Sequence, residues 1–146
     1  MQEPTDREEF AKQANVAVLA TVGPGQRSHA MPIWYVYEDG HFVMSAGRGS
    51  QKVRNIERHG EATLLIDCRE PPYYALMAQG RADIGPPPSD ELRLRLAVRY
   101  LGEERGRAYT AERSGEGSVT IRLHPERLVE YRGVAGRIED DQSEAL

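Results

Sequence analysis

Residues 45–56 carry the side chains whose types and spacing best fit a chemical task, which is the binding of a phosphate group. Gly49 leaves room for an anion beside the backbone, and Ser50 suits the N-cap of a helix. Lys52 and Arg54 follow at the start of that helix, where free N–H groups already favour an anion. The alternative is an ordinary capped surface helix with solvated basic side chains, and this segment alone does not decide between the two.

Short apolar runs on both sides of this segment predict the strands that must position it. Many of them are rich in β-branched residues and are bounded by Gly, Pro and Asp-Gly turn signals. About six strands at this spacing, most of them joined by tight turns, predict an antiparallel barrel with helices packed on it. The runs with strand character are 16–22, 28–37, 41–45, 62–67, 73–84, with Gly80 as a bulge, and 118–123 and 127–131, with a turn at 124–126.

Helices are predicted at three places. Thr5 and Glu8 form a capping box that opens a helix running to about residue 14. The helix over residues 50–59 ends at Gly60, which suits the left-handed position after a helix. Ser89 caps a third helix with a broad apolar face, whereas the charged segment 102–117 receives no assignment.

Composition bounds the class of protein. A chain of 146 residues fits one domain, here residues 1–132, followed by a polar, acidic and flexible C-terminal tail at 133–146. A net charge of −4 argues against nucleic acid, and Cys68 as the only cysteine argues against a thiolate metal cluster. Without an apolar run of membrane length or a leader pattern, we expect no membrane association and a cytoplasmic location.

The order of the motifs resembles the pyridoxamine 5′-phosphate oxidase-like superfamily. The resemblance rests on the runs 19–22, 31–35 (Met-Pro-Ile-Trp-Tyr) and 50–56 (Ser-Gln-Lys-Val-Arg-Asn-Ile), with glycine turns between them, and it covers about residues 8–132. More narrowly, the chain looks like the flavin and deazaflavin oxidoreductases that are built on the FMN-binding split barrel. The resemblance therefore implies a mainly β fold, a six-stranded antiparallel split β-barrel with peripheral helices.

The resemblance also implies a cofactor, either coenzyme F420 (a deazaflavin) or FMN, and assigns its contacts by position. The strand that runs along the ring matches Ala30, Met31, Pro32, Ile33 and Trp34, and the strand end beside the ribityl chain matches Ser45, Ala46 and Gly47. The phosphate motif matches Ser50, Gln51 and Lys52, with Arg54 as a helper. In such proteins the cofactor lies between two protomers, so residues 74–79, Tyr131 and Arg132 of a homodimer partner are expected to complete the pocket.

The implied activity is an oxidoreductase that transfers hydride to or from a small organic substrate. A flavin-type cofactor carries that chemistry itself, so the lack of an obvious catalytic residue or metal-ligand set in the sequence is expected. The alternative is a protein that binds or carries the cofactor without turnover. The sequence does not reveal the substrate or the direction of hydride transfer.

Two departures from the family pattern narrow the activity. Pyridoxamine phosphate oxidases proper carry an arginine in the ring strand and Arg-Lys in the phosphate motif, where this chain has Ala30 and Gln51-Lys52. That reaction is therefore not expected here, and the pattern Ser-Gln-Lys-x-x-Asn in a short chain favours the deazaflavin group, with FMN as the alternative.

Aromatic and nucleophilic residues outside these motifs have plainer interpretations. Trp34 and Tyr35 point in opposite directions on one strand, so one is expected in the core and the other at a pocket. Cys68 is expected to be a small buried side chain. The four histidines fit no metal geometry, and His29, just before the ring strand, is the one considered for the substrate side.

Overall fold

The computed structural model describes residues 7–134 and 137–141, with eight strands and four helices. The helices are α1 (Arg7–Ala11), α2 (Gln51–His59), α3 (Asp90–Leu101) and α4 (Glu103–Ala111). The strands are β1 (Ala17–Val22), β2 (Ser28–Ile33), β3 (Val36–Glu38), β4 (His41–Gly47), β5 (Glu61–Cys68), β6 (Tyr74–Gly85), β7 (Ser118–Val134) and β8 (Arg137–Asp141). No helix among these residues is long and apolar enough to cross a membrane.

All strand pairs are antiparallel, and the order across the sheet is β2-β1-β5-β6-β7-β4-β3, with β8 paired to β7. The two outermost strands, β2 and β3, follow each other in the chain and are separated by Trp34 and Tyr35 alone. Two consecutive residues span only about 7 Å, so the sheet must curl until its two edges meet. The result is a barrel that is closed by the covalent chain at one place and split beside it.

Alternating side chains build the core inside this barrel. Along β5, Leu64 and Ile66 are fully buried while Leu65 points outward and is 39% exposed. Phe10 of α1 and Ile56 of α2 are buried in the same cluster, so both helices cover parts of the core that the strands leave open.

Gly80 marks a bulge, as predicted, because the β6–β7 register shifts between Gln79 and Gly80. A Cβ atom at Gly80 would lie 2.0 Å from the carbonyl oxygen of His124, so only glycine fits there. The predicted turn at 124–126 was wrong: the chain runs straight through it as part of β7. The extra residue of the bulge is Glu126 on β7 itself, and Pro125 pairs with Gly80 next to it, a place where a strand tolerates proline.

The break between β2 and β3 is fastened by Tyr35, which is fully buried. Its hydroxyl donates to the carbonyl of Ala11 at 2.8 Å, and its backbone N–H donates to the Tyr100 hydroxyl oxygen at 3.1 Å. The predicted single strand 28–37 is therefore two strands, since these bonds pull the chain out of the sheet at residues 34 and 35.

Helices α3 and α4 form a layer on the outer side of β3 and β4. Leu92 and Leu96 of α3 pack against Val36 and Val43 in a second cluster of buried residues. Gly106 lets α4 approach α3 closely, because a Cβ atom there would lie 2.6 Å from the Cα of Val98. The segment 102–117, unassigned from the sequence, thus contains a helix.

The predicted mainly β class and the split barrel are confirmed, with eight strands in the described residues where about six were predicted. The Asp39-Gly40 turn has the positive φ angles that its sequence predicts, and Gly60 ends α2 in the left-handed conformation. Arg137–Asp141, inside the segment expected to be a flexible tail, pair with β7. The capping residue Thr5 and residues 135–136 and 142–146 of that tail lie outside the described residues.

Candidate functional site

A gap in the barrel wall lies between β2 and the second half of β4. Strand β3 pairs with residues 41–43 of β4, whereas residues 44–47 pair on one side only, with β7. On the other side of the gap, β2 pairs with β1 alone. We call this gap the opening. It is bordered by the predicted ring strand and by the predicted ribityl residues, and the chain leads from its β4 side directly into α2.

The ring-strand residues present their surface to solvent. Ala30, Met31 and Pro32 are exposed, with Met31 48% exposed, while Ile33 is buried in the core. A ligand that lies along β2 therefore has access to three of the five predicted ring positions. The Ile33 side chain supports the strand from the inside.

Trp34 turns away from the core and toward the helical layer, whereas Tyr35 turns inward, so the predicted opposite directions are observed. The Trp34 indole stacks on the Tyr100 ring at 5.1 Å between centroids and lies 5.6 Å from the Tyr109 ring. Together with Ser45, it lines a cavity of about 200 Å³ beneath α3 and α4. The structure thus brings together two predicted site residues that are 11 positions apart in the sequence.

The three ribityl positions differ in what they offer. The Ser45 side chain faces the cavity beneath the helices, and the Ala46 side chain is packed in the barrel core. Gly47 is exposed, and its carbonyl accepts hydrogen bonds from the Ser50 hydroxyl at 2.7 Å and the Ser50 N–H at 3.0 Å. A ligand can therefore meet Ala46 only through its backbone.

The start of α2 is left without a side-chain cap. Ser50 occupies the N-cap position as predicted, but its hydroxyl donates to Gly47 and accepts no helix N–H. The first N–H groups of a helix lack partners within the helix, so those of α2 point outward unsatisfied by Ser50. Gly47 and Gly49 leave open space beside them, since a Cβ atom at either position would meet nothing within 4 Å.

A chain of hydrogen bonds fixes this helix start to the barrel. Arg54 donates through Nη1 to the carbonyl of Gly49 at 2.6 Å and through Nη2 to the Gln51 amide oxygen at 2.8 Å. The Gln51 amide nitrogen donates to Asn55 at 2.6 Å, and Asn55 donates to the hydroxyl oxygen of Thr21 at 3.0 Å. The guanidinium of Arg54 therefore braces the turn before the helix.

Sequence reasoning gave Asn55 no structural role at this site. Asn55 and Thr21 are both buried, at 3% and 4% exposure, and they join α2 to β1 beneath the helix start. The available signal was a polar residue between Val53 and Ile56 on the apolar side of a short helix, which indicates a specific buried partner.

Lys52 is a cation that this arrangement leaves available to a ligand. Its side chain is half-buried, and within the described residues no carboxylate lies in ion-pair range of it. The first turn of α2 contains no acidic residue. The helix start is therefore electropositive from both its backbone and its side chains.

The groups with clearly shifted acidity within the described part of the chain lie elsewhere. Burial is the largest cause that raises the pKa of Tyr35, Tyr37 and Tyr74. The Tyr74 hydroxyl also donates to the Glu130 carboxylate at 2.5 Å, which raises its pKa further. None of these tyrosines borders the opening, so their raised pKa values reflect the packing of the fold.

The outer sheet face beside the opening carries an apolar row. The registers align, across five strands, Pro32, Val18, Leu65, Met77 and Val129. A neighbouring open groove of about 460 Å³ includes Thr63, Gln79 and Arg127 in its lining. Gln79 belongs to the segment that was expected to reach a partner's pocket, and it lies on this face.

Comparison with known proteins gives one family and a consistent fold. The family model described as pyridoxamine 5′-phosphate oxidase matches residues 5–132, while no curated protein matches the chain. The conserved hypothetical protein Rv2991 from Mycobacterium tuberculosis is 20% identical with a TM-score of 0.72, over 88% of this chain and 83% of that chain.

Two further solved structures share the architecture. An F420 reductase is 24% identical with a TM-score of 0.70, over 86% of this chain and 98% of that chain. An FAD-binding protein from Mesorhizobium loti is 15% identical with a TM-score of 0.67, over 91% and 96%. At these identities, the structural likeness supports the fold.

Proposed function

We propose, since this chain belongs to the pyridoxamine 5′-phosphate oxidase family, that it binds coenzyme F420 or FMN in the opening as an oxidoreductase. The observation that carries the proposal is the uncapped, electropositive start of α2 at the end of the opening. An F420 reductase and an FAD-binding protein among the structural neighbours support a flavin-type cofactor.

The phosphate of the cofactor fits the start of α2. The free N–H groups of the first turn and the Lys52 ammonium supply donors and positive charge, and Gly49 leaves the approach open. Gln51 and Arg54 hold each other through their hydrogen bond, so they shape the turn. In this proposal Lys52 makes the main side-chain contact, and Ser50, Gln51 and Arg54 keep the donors in position.

The ring of the cofactor fits along β2. The exposed backbone at Ala30, Met31 and Pro32 provides a flat edge, and Ser45 and Gly47 border the opposite side of the opening. Ile33 supports this edge from the core, Trp34 closes its far end, and Ala46 contributes its backbone. These contacts orient the ring, and the absence of a required catalytic side chain follows from the cofactor's own chemistry.

A homodimer would complete the site. The apolar row on the outer sheet face includes Leu65, which is 39% exposed, and the exposed Pro32 of β2; surface of this kind marks a protein contact. The open groove next to the row would be roofed by a second copy, which excludes water from the cofactor. The cytoplasmic location expected from the sequence stays a prediction.

A bound flavin or deazaflavin supplies hydride transfer, and the protein positions it against a small organic substrate. Ala30 and Gln51 stand where pyridoxamine phosphate oxidases proper carry arginines. We therefore propose a related hydride transfer, with coenzyme F420 as the favoured cofactor and FMN as the alternative.

Cofactor titration tests the proposal. The purified chain is titrated with FMN and with F420, following absorbance and fluorescence, and one of them is expected to bind in the micromolar range or better. Lys52→Ala should weaken binding at least about tenfold, since a charge-assisted contact is worth about 1.5–3 kcal/mol. Arg58→Ala, an exposed change in the last turn of the same helix, is the matched control and should leave the affinity within about twofold.

The outcomes separate the two candidate activities. If neither cofactor binds, or if Lys52→Ala binds as well as the control, the assignment of the site is wrong. If the cofactor binds and its reduced form is never reoxidised by organic acceptors, the protein is a cofactor carrier without turnover.

A further inference from the structure

The cavity of about 200 Å³ beneath α3 and α4 has features that cofactor binding does not use. It lies on the helical side of β4 and shares Trp34 and Ser45 with the border of the opening. Its remaining walls come from Leu96 of α3, from α4 and from residues 112–118. The segment that sequence analysis left unassigned therefore builds a pocket directly beside the candidate cofactor site.

The pocket is positively charged. Among the described residues that line it, two are arginines, Arg93 and Arg113, and none carries a carboxylate. The Arg93 side chain is only 15% exposed and donates to the carbonyls of Thr110 at 3.2 Å and Arg113 at 2.5 Å. Its ion pair with Asp90 is at 3.1 Å, and Asp90 itself points into solvent at 97% exposure. A buried guanidinium with an exposed counter-ion leaves a field that favours an anion.

Arg113 is the guanidinium with donors to spare. It lies over the Tyr109 ring at 3.8 Å, which orients its plane. Its nearest oxygen partners are distant, namely the Tyr109 carbonyl at 3.4 Å and the Glu112 carboxylate at 3.9 Å. The planar fork of an arginine matches the two oxygens of a carboxylate.

The apolar walls of the pocket are aromatic. Trp34 and Tyr109 stand 5.6 Å apart with their planes tilted by 52°, and Leu96 lies beside them. An apolar cavity of about 150 Å³ accepts a benzene ring, so about 200 Å³ accepts one ring with a small substituent. Rings prefer offset or edge contacts of the kind that such tilted walls offer.

We propose that this cavity binds a single-ring aromatic carboxylate, with the ring against Trp34 and Tyr109 and the carboxylate on Arg113. The identification of this ligand as the substrate rests on the proposed function, because Trp34 and Ser45 would then place its ring next to the cofactor. The binding site itself stands on the cavity, the charges and the aromatic walls.

Trp34 is the only tryptophan in the chain, so the tryptophan fluorescence of the protein comes from a wall of this pocket. The full-length protein without cofactor is titrated with benzoate, and a saturable change in fluorescence is expected. Benzyl alcohol, which has the ring without the charge, and acetate, which has the charge without the ring, should each bind at least about tenfold more weakly.

Matched variants locate the binding. Arg113→Gln should weaken benzoate binding at least about tenfold, whereas Arg105→Gln, an exposed change on α4 outside the cavity, should leave it unchanged. Tyr109→Leu removes one aromatic wall at a half-exposed position and should also weaken binding. Equal affinities for Arg113→Gln and Arg105→Gln, or no saturation below about 10 mM benzoate in the unmodified protein, would overturn the proposal.

Cofactor titration of the same preparation keeps the two proposals apart. If benzoate binds and neither FMN nor F420 does, the proposed function fails and the aromatic carboxylate site stands. If the cofactor binds and Trp34 does not respond to benzoate, the present inference fails and the cofactor site stands. If both bind, benzoate should shift the absorption of the bound cofactor, and an unchanged spectrum would refute its place beside the ring.

Discussion

Helices α2 and α3 begin in the same way and end up with opposite properties. Each is preceded by a serine in extended conformation, with φ −72° and ψ 155° at Ser50 and φ −64° and ψ 159° at Ser89. The Ser89 hydroxyl oxygen accepts the N–H of Leu92 at 3.1 Å, which is an ordinary cap. The Ser50 hydroxyl instead donates to the carbonyl of Gly47. The start of α3 is therefore capped by its own serine, whereas the first N–H groups of α2 remain available to a ligand.

The charges follow the same division. The first turn of α3 contains Asp90 and Glu91, which complement the positive end of the helix, whereas the first turn of α2 contains no acid and carries Lys52. At α3 the acidic side chains stabilise the helix, which packs on the outer side of β3 and β4. At α2 the same helix end is left electropositive and open, which costs stability and favours an anion. A serine before a helix is therefore not by itself evidence of a cap.

Reversing the charge at the open start should have the largest effect. Lys52→Glu is expected to weaken FMN or F420 binding at least about a hundredfold, because it removes a charge-assisted contact and adds repulsion. Glu91→Lys places the opposite change at the capped start of α3 and should leave cofactor affinity within about twofold. Titration of both variants checks the contrast, and equal losses would show that the charge acts at long range.

Removing the buried support of the open start should cost stability. Asn55→Ala is expected to lower the free energy of unfolding by about 2 kcal/mol, since Thr21 and Gln51 each lose a partner and Thr21 is buried. Urea unfolding measures the loss. Glu57→Ala, an exposed change on the same helix, should stay within about 0.5 kcal/mol, and a similar loss there would contradict the role of Asn55.

Replacing each of the two serines separates capping from ligand binding at the two helix starts. Ser89→Ala should lower the free energy of unfolding by about 1 kcal/mol and leave cofactor affinity unchanged. Ser50→Ala should lower it by only a few tenths of a kcal/mol, because the exposed bond to Gly47 is not a cap, yet weaken cofactor binding about threefold. Unfolding and titration of both variants decide, and a larger loss of stability at Ser50 would make the two starts equivalent.

A change in ionic strength should have the smallest effect on cofactor affinity. Raising the ionic strength from about 0.1 to about 1 M shortens the Debye length from about 10 to about 3 Å. Cofactor affinity is then expected to fall about two- to threefold, since the phosphate contact is only half-buried at Lys52. The Lys52→Ala variant should lose this salt dependence, and an unchanged dependence would place the charge contact elsewhere.

Sequence reasoning succeeded where a residue type has one conformational use. Gly60 in the left-handed position, Gly80 at the bulge and the Asp39-Gly40 turn each follow from backbone sterics. It failed where a distant contact decides. Pro125 continues a strand because β7 bulges at Glu126 opposite Gly80, and position 106 inside α4 requires glycine because Val98 of α3 lies so close.

The candidate site shows the same limit. The positions from Ala30 to Arg54 were predicted from motif order, and the structure places the strands and the helix start that carry them beside one opening. The direction of the Ser50 hydroxyl and the burial of Asn55 depend on where Gly47 and Thr21 lie in space, which no local pattern encodes. The pocket beneath α3 and α4 was missed because its walls come from four separate segments.

The position of β7 sets the order in which the chain can fold. This strand lies between β6 and β4 and starts at Ser118, so among the described residues 7–117 the strands form only two separate sheet pieces, β2-β1-β5-β6 and β4-β3. During synthesis the barrel cannot form until β7 has left the ribosome. Closure then requires pairings between residues as far apart as Phe42 and Leu123, and contacts of such long range make folding slow. Until then, apolar strand edges are exposed to other chains in the cell.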